Sequence, residues 1–278
     1  MKNMHLKKWM LAATLFLAVG GYAQNSKLVL IKGQKYEVTS TSKVNSTASV
    51  MGQEMENTAN TTTVETIEVK NTGAAQYDLV SMVTRMVLNA SAMGQETNFD
   101  SDKKDNSGPG AEEMAKLINK PKNIVIDDKG KVLKEDKDEA SEANMAMSGG
   151  KSGVSLFNAS LIGRTIKLGE SWLDSVASNT DKMKTNTVGT YTVKSIENNI
   201  ATIVFNGTTT VTGVMEQMGQ EMDMKSTSKV TGESKLDLTN GIIMETSSNS
   251  DGNMTVEVGG MSIPVTIKTT STTKTKAL

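Results

Sequence analysis

The 278-residue sequence predicts a mainly β fold, in which long antiparallel hairpins form a curved sheet or open barrel in two related halves. The tetrapeptide Met-Gly-Gln-Glu occurs three times, at Met51–Glu54, Met93–Glu96 and Met218–Glu221. Each copy interrupts a run rich in Thr, Ser, Val and Met, and a Gly between two β-prone runs is typical of a hairpin tip. The segments Ser40–Val44 and Ser226–Val230 match in residue type, which indicates an internal duplication. We expect about ten strands, with one or two short helices in the central connection.

Residues 1–23 are predicted to be a cleaved signal peptide. Lys2, Lys7 and Lys8 precede an apolar stretch, and small residues before Gln24 suit a signal peptidase. The apolar stretch has about half the length that a bilayer span needs. No Cys follows the cleavage site, which excludes a lipid anchor of the usual bacterial type. We therefore expect a periplasmic or secreted protein without a membrane span, whose residues 24–278 form a single β-rich domain.

Cleavage would leave a chain without Cys or His, because the sequence has no Cys and its one His is His5. A Ser-His-Asp triad, a Cys-His nucleophile pair, a Cys/His zinc site and a disulfide are therefore excluded. Removing Lys2, Lys7 and Lys8 from 30 basic residues leaves 27 against 31 acidic ones, a net charge of −4. This acidic balance, with few aromatic residues, disfavours nucleic-acid binding. We predict that the protein is not an enzyme and uses no cofactor.

The first β block is predicted at residues 24–99. Over Tyr36–Val50, residues alternate between a face of Tyr, Val, Ser and Ala and a face of Thr, Asn and charged side chains. Past the first tip, Met55–Val69 is predicted to return beside this strand. A turn at Asn71–Gly73 then leads into Tyr77–Ala92, the most apolar strand of the block.

Residues 100–187 are predicted to form a connecting segment with short helices. Ala111–Asn119 has apolar residues on one helical side, and Ser155–Leu161 is predicted to be a second helix. Between them, Ile124–Leu133 is predicted to form a small hairpin. Glu135–Gly153 is polar and rich in Gly, Ser, Ala and Met, which is typical of a mobile segment.

The second β block, at residues 188–278, repeats the scheme of the first. Glu197–Asn199 is predicted to be a turn, and Met222–Leu238 shows the cleanest alternation of the chain. Asn240-Gly241 predicts a type I′ turn, because both central residues of that turn need positive φ.

The inward faces of the predicted strands carry Ser, Thr, Ala, Gly, Val and Met rather than Leu, Ile and Phe. Such a face packs poorly as a dense core, and a concave sheet with room for a hydrophobic or amphipathic small molecule would explain it. The leading hypothesis is therefore a non-catalytic binding or carrier protein, with the central helices as a lid. The candidate ligand-binding residues are Tyr36, Val38, Val44, Met82, Met86, Phe205, Met222, Met224 and Val230, with Phe157 and Trp172 from the lid.

Two other hypotheses remain open. The chain could be a structural or surface-interaction protein whose hairpin tips make the contacts. The Met residues around the tips also permit Met-based Cu(I) binding, since thioethers suit Cu(I), although Met beside a turn is commonly a packing residue. The acidic loop that begins at Asp100 resembles a calcium loop only superficially, because Lys104 occupies a ligand position and the required Gly is absent. We assign no metal ligand.

Three short motifs carry a resemblance to a known family. They are Lys32-Gly33 followed by Tyr36, the turn Ile126-Asp-x-x-Gly130-x-Val132, and Leu168-Gly169-Glu-Ser-Trp172. With the signal peptide and the second β block, they resemble exported Gram-negative bacterial proteins grouped as domain of unknown function 6263. This resemblance implies no activity and no site residues. The hairpin lengths and helix placement are also similar to those of periplasmic lipoprotein and lipid carriers, which use a curved antiparallel sheet under a helical lid.

Overall fold

The computed structural model describes residues 24–50, 52–92, 94–136, 154–179, 182–217 and 220–278, without the side chains of residues 215–217 and 220. The predicted signal peptide and most of the predicted mobile segment lie outside the described residues. Within the described ranges no helix is long and apolar enough to cross a membrane.

The described residues contain fourteen strands and one short helix. They are β1 (Gln24–Asn25), β2 (Lys35–Val50), β3 (Gln53–Thr72), β4 (Gln76–Ala92), β5 (Gln95–Asp100), α1 (Ala111–Ala115), β6 (Pro121–Asp127), β7 (Val132–Glu135), β8 (Thr165–Ile166), β9 (Ser171–Asn179), β10 (Met183–Glu197), β11 (Ile200–Gln217), β12 (Gln220–Asp237), β13 (Ile243–Val258) and β14 (Met261–Ala277).

Twelve of these strands form one antiparallel sheet. Its order is β7-β6-β4-β3-β2-β14-β13-β12-β11-β10-β9, with β5 pairing with β4 on the side away from β3, and the sheet is not closed. The two predicted β blocks meet where β2 pairs with β14, from Tyr36 opposite Ala277 to Ala48 opposite Val265. The prediction of a curved antiparallel sheet is thus confirmed, and the first and last long strands are neighbours in it.

The strands on either side of each Met-Gly-Gln-Glu copy pair with each other as a hairpin, as predicted. The flanking pairs Val50–Gln53, Ala92–Gln95 and Gln217–Gln220 leave two-residue loops of Met and Gly. Gly52 and Gly94 have φ of 81° and 75°, which suits Gly. Gly259 and Gly260 close the β13–β14 hairpin in the same way. These four loops lie at one end of the sheet, the tip end, and the opposite end is the base end.

Two turns at the base end differ in type from each other. Asn198 and Asn199 have φ of 51° and 63°, as a type I′ turn requires, and they connect β10 to β11. The prediction of a type I′ turn at Asn240-Gly241 was wrong, because Gly241 has positive φ and Asn240 does not. The Asn240 side chain instead accepts a hydrogen bond from the Ile242 N–H at 2.9 Å, which stabilises a different turn.

Residues 154–166 form an irregular segment, here called the strap, and the helix predicted at Ser155–Leu161 is absent from it. Its backbone groups bond to remote segments instead of to the next turn of a helix. The Leu156 carbonyl accepts from the Ile243 N–H at 2.9 Å, and the Gly163 N–H donates to the Ser26 carbonyl at 2.8 Å. The helix predicted at Ala111–Asn119 is present but short, because α1 ends at Ala115 and turns continue to Asn119.

The main hydrophobic core lies at the base end, between the strap and one face of the sheet. That face is called the inner face, and the opposite one the outer face. One cluster gathers Tyr36, Val38, Ile67, Val69, Leu79, Ile124 and Ile126 against Leu28, Leu30, Val154, Leu156, Phe157, Ile162 and Ile242. A neighbouring cluster gathers Val193, Ala201, Ile203, Leu236, Leu238 and Ile243 against Leu161 and Ile166. The strap therefore packs on both halves of the sheet.

Candidate functional site

The inner face changes in character between its base and its tips. Next to the packed base lies an aromatic row in which Trp172, Tyr191 and Phe205 are cross-strand neighbours on β9, β10 and β11. Ring centroids are 5.5 Å apart for Trp172 and Tyr191, and 4.7 Å apart for Tyr191 and Phe205. Burial raises the pKa of the Tyr191 hydroxyl, which accepts a hydrogen bond from Asn158 Nδ2 at 3.2 Å. The row therefore has a neutral phenol at its centre.

The middle of the inner face is covered by hydroxyl side chains that bond to each other across strands. The oxygen–oxygen distances lie between 2.7 and 3.0 Å for the pairs Ser40–Thr273, Ser248–Ser271, Ser234–Thr246 and Thr187–Thr209. All four pairs are half-buried. Within the described residues, this hydroxyl zone is thus an open surface with donors and acceptors that can rotate.

The tip end of the inner face is apolar. Ala48, Val256 and Val265 are each 8% exposed and lie together on β2, β13 and β14. Met222, Met254, Ile263 and Ile267 are only partly buried and pack around them. Met224 is the cross-strand neighbour of Val256. This apolar tip zone forms without any contribution from the strap, which lies at the other end of the sheet.

The structure distributes the predicted ligand-binding residues over all these regions. Tyr36, Val38 and Phe157 are buried in the base core. Val44 and Val230 are half-buried and lie in the hydroxyl zone. They belong to one cross-strand row, which runs from Val44 through Thr269 and Ser250 to Val230. Met222 and Met224 lie in the tip zone, and Trp172 and Phe205 lie in the aromatic row. Trp172 belongs to β9 rather than to a lid.

Met82 and Met86 lie on opposite faces of the sheet. Met86 pairs with Thr63 and is buried beside Leu88, Phe99 and Met114 on the inner side. Met82 pairs with Thr66, which faces outward. A β-bulge causes this difference, because the register shifts at Val64 and Thr84 is the unpaired extra residue.

A shallow cavity of about 430 Å³, largely open to solvent, lies at the base end, between the strap, the β6–β7 turn and β9. Its lining residues are Lys129, Ala159, Ser160, Ile162, Gly163, Arg164 and Asp174. The guanidinium of Arg164 lies 5.0 Å above the Trp172 ring, and its Nε donates to the Ser160 carbonyl at 3.0 Å. Sequence reasoning missed Arg164, because a lone Arg between β-prone runs carries no pattern of its own.

The acidic loop that begins at Asp100 and the Met residues of the hairpin loops were considered above as metal ligands. Asp100 and Asp102 both form ion pairs with Arg85, at 3.6 and 2.6 Å. Among the described residues, no group of three or more His, Cys, Asp or Glu side chains is arranged to hold a metal ion. The loop residues Met51, Met93 and Met218 lie outside the described chain.

Comparison with known proteins finds a family match over part of the chain. Residues 163–243 match the model of a family of unknown function, DUF6263. The match confirms the resemblance over that range, which runs from Gly163 in the strap to Ile243 at the start of β13. The DUF6263 region thus includes Arg164 and the whole aromatic row. No curated protein sequence matches the chain.

Among solved structures, lipovitellin superposes with a TM-score of 0.50 at 13% sequence identity. The superposition covers 89% of this chain and 25% of lipovitellin, so the chain spans a quarter of that protein. This shows a shared sheet architecture. An outer membrane channel from Pseudomonas putida F1 superposes at a TM-score of only 0.22, with 6% identity over 90% of this chain and 97% of the channel.

Proposed function

We propose that this protein is an exported, non-catalytic binding or carrier protein for a hydrophobic or amphipathic ligand, which it holds against the inner face of its sheet. The observation that carries the proposal is the graded lining of that face. A packed base is followed by half-buried hydroxyls and then by an apolar tip zone with partly exposed Met and Ile side chains.

Such a lining suits a ligand with both polar and apolar parts. Covering the exposed apolar surface of Met222, Met254 and Ile263 is favourable by about 25 cal/mol per Å². The hydroxyl zone supplies hydrogen-bond partners that satisfy a polar group without requiring charge. A face of this kind, left open over several strands, can bind a ligand through contact area.

Two further facts support the proposal. The lipovitellin structure is described in terms of lipid–protein interactions, and this chain shares its sheet architecture. The first 23 residues have the charge and apolar pattern of a signal peptide, which supports export. Export would place the protein where apolar molecules need a carrier through water.

A fluorescent monoacylglycerol, which carries no charge, tests the proposal on the mature chain. Val230→Lys places a charge on the inner face, whereas Thr231→Lys places the same charge on the exposed outer face of the same strand. We expect Val230→Lys to weaken probe binding about tenfold or more, because an ammonium group is costly to cover with hydrocarbon. Thr231→Lys should bind like the wild type. Equal binding by both variants, or no binding by the wild type, would refute the proposal.

The hairpin tips support a second candidate function, a surface-interaction protein. Four two-residue loops lie along one end of the sheet, and three of them have the same Met-Gly sequence. Replacing Met51, Met93 and Met218 by Asn keeps a favoured Asn-Gly turn and removes the thioethers. Probe binding that survives this triple change favours the carrier. A Cu(I) titration of the same variant against a competing chelator tests the Met-based copper alternative.

A further inference from the structure

We propose that the cavity lined by Arg164 and Lys129 binds an anion, a phosphate or carboxylate group, at the base end of the inner face. The anion would be either the head group of the amphipathic ligand or a free ion of the same chemistry. The first alternative rests on the proposed function, and the second does not. The cavity, called the Arg164 cavity, is defined by the seven lining residues given above.

Arg164 is held in place before any ligand arrives. Its Nε donates to the Ser160 carbonyl, and the Trp172 ring lies below the guanidinium at 5.0 Å. Among the described residues, no hydrogen bond or ion pair uses the two outer nitrogens of the guanidinium fork. A planar fork fixed in this way matches the two oxygens of a phosphate or carboxylate.

Charge at the cavity is not balanced. The sequence has two Arg residues, and Arg85 is neutralised by Asp100 and Asp102. Arg164 forms no ion pair with any described carboxylate. Lys129, in the β6–β7 turn, lines the same cavity, and Asp174 is the one carboxylate among its described lining residues. Neither cation is within ion-pair distance of Asp174 in the described residues. Two cations against one carboxylate favour an anion.

The cavity adjoins an aromatic surface on the inner face. Asp174 is level with Gly189, Gly207 and Val230 on the inner face. The Phe205 ring lies over both glycines, so this level of the sheet presents an aromatic surface beside the charged cavity. From Val230, β12 runs eight residues to Met222 in the tip zone, about 26 Å at the usual strand rise. An amphiphile with its head at Arg164 would therefore extend its chain toward the tips.

Three probes at low ionic strength test the proposal on the mature chain by calorimetry. They are a lysophospholipid with an anionic head, a monoacylglycerol of the same chain length, and inorganic phosphate. Lys129→Gln leaves packing intact because Lys129 is exposed, and Arg164→Gln removes the guanidinium. Lys131→Gln is the matched control, an exposed lysine in the same hairpin that does not line the cavity.

We expect the anionic amphiphile to bind about tenfold more tightly than the neutral one, and each cavity variant to remove most of that difference. Lys131→Gln should preserve it. Phosphate binding that depends on Arg164, without binding of either amphiphile, would support the anion site and refute the carrier function. Equal binding of both amphiphiles, with no phosphate binding, would refute the anion site and leave the carrier function standing.

Discussion

At the scale of single residues, glycine on the inner face makes room for an aromatic ring. A Cβ atom built on Gly189 would lie 2.5 Å from the Phe205 ring and 2.6 Å from the Asn206 carbonyl oxygen. A Cβ on Gly207 would meet the same ring at 2.5 Å. Neither contact is possible without a shift, so these two glycines allow Phe205 to lie along the sheet beside Tyr191.

We predict that Gly189→Ala lowers the free energy of unfolding by about 1–3 kcal/mol, because the added methyl group overpacks the site. Urea denaturation followed by circular dichroism measures the change. Gly73→Ala is the control, since a Cβ there would meet only ordinary contacts, with Gln76 Cγ nearest at 3.4 Å. A Gly189→Ala protein as stable as this control would contradict the packing described for Phe205.

The face of the sheet on which a side chain lies could be predicted from the sequence only where the strand has no bulge. Alternation correctly placed Val38, Val44 and Val230 on the inner face. It misplaced Met82 relative to Met86, because the bulge between them adds an ordinary Thr that resembles any other strand residue. The partners on β3 decide this register, and they are distant in sequence.

At the scale of elements, the strap connects strands that are far apart in the sheet. Ser155 Oγ donates to Glu65 on β3 at 3.2 Å, and the Leu156 carbonyl bonds to Ile243 on β13. Asn158 reaches Tyr191 on β10, and Arg164 covers Trp172 on β9. One short segment therefore contacts both halves of the sheet at the base end.

We predict that Leu156→Ala destabilises the fold by about 2–5 kcal/mol, because this fully buried side chain joins the strap to the base core. Leu168→Ala is the matched control, as Leu168 is 51% exposed just beyond the strap, and its cost should stay within about 0.5 kcal/mol. Thermal unfolding of both variants measures the difference. Similar midpoints for the two would mean that the strap contributes little to folding.

Hairpins could be predicted from the sequence and the strap could not. A hairpin is a local structure, so the alternation of Tyr36–Val50 and the loop at Gly52 together indicate its strands and its tip. The strap has no internal ladder, and its hydrogen bonds go to residues such as Ser26 and Ile243. Apolar spacing suggested a helix at Ser155–Leu161, but tertiary contacts override such local patterns.

At the scale of the whole molecule, the buried apolar side chains of the described residues are concentrated at the base end. The two largest core clusters lie at the base, whereas the tip zone has three buried residues and the hydroxyl zone has half-buried ones. The pairing of β2 with β14, which joins the halves, was not predicted, because nothing local in either strand specifies that partner.

We predict that backbone amides exchange with solvent more than about tenfold more slowly in the base thirds of β11 and β12 than in their tip thirds. The reason is that Ile203 and Leu236 are at most 1% exposed near the base, while none of the described tip-third residues 212–214 and 221–225 is buried. Hydrogen–deuterium exchange with mass spectrometry compares peptides from both ends of the same strands. Uniform protection along these strands would contradict the prediction.

The separation of the packed base from the two-residue tips has a consequence for how such a protein can change in size. Side chains repeat every two residues, so two added residues per strand would move every loop about 6.6 Å outward and leave all inward-facing positions inward-facing. Neither the anchoring end nor the loop sequences would need to change. The distance from the base end to the hairpin loops can therefore be changed by inserting two residues at a time into each strand.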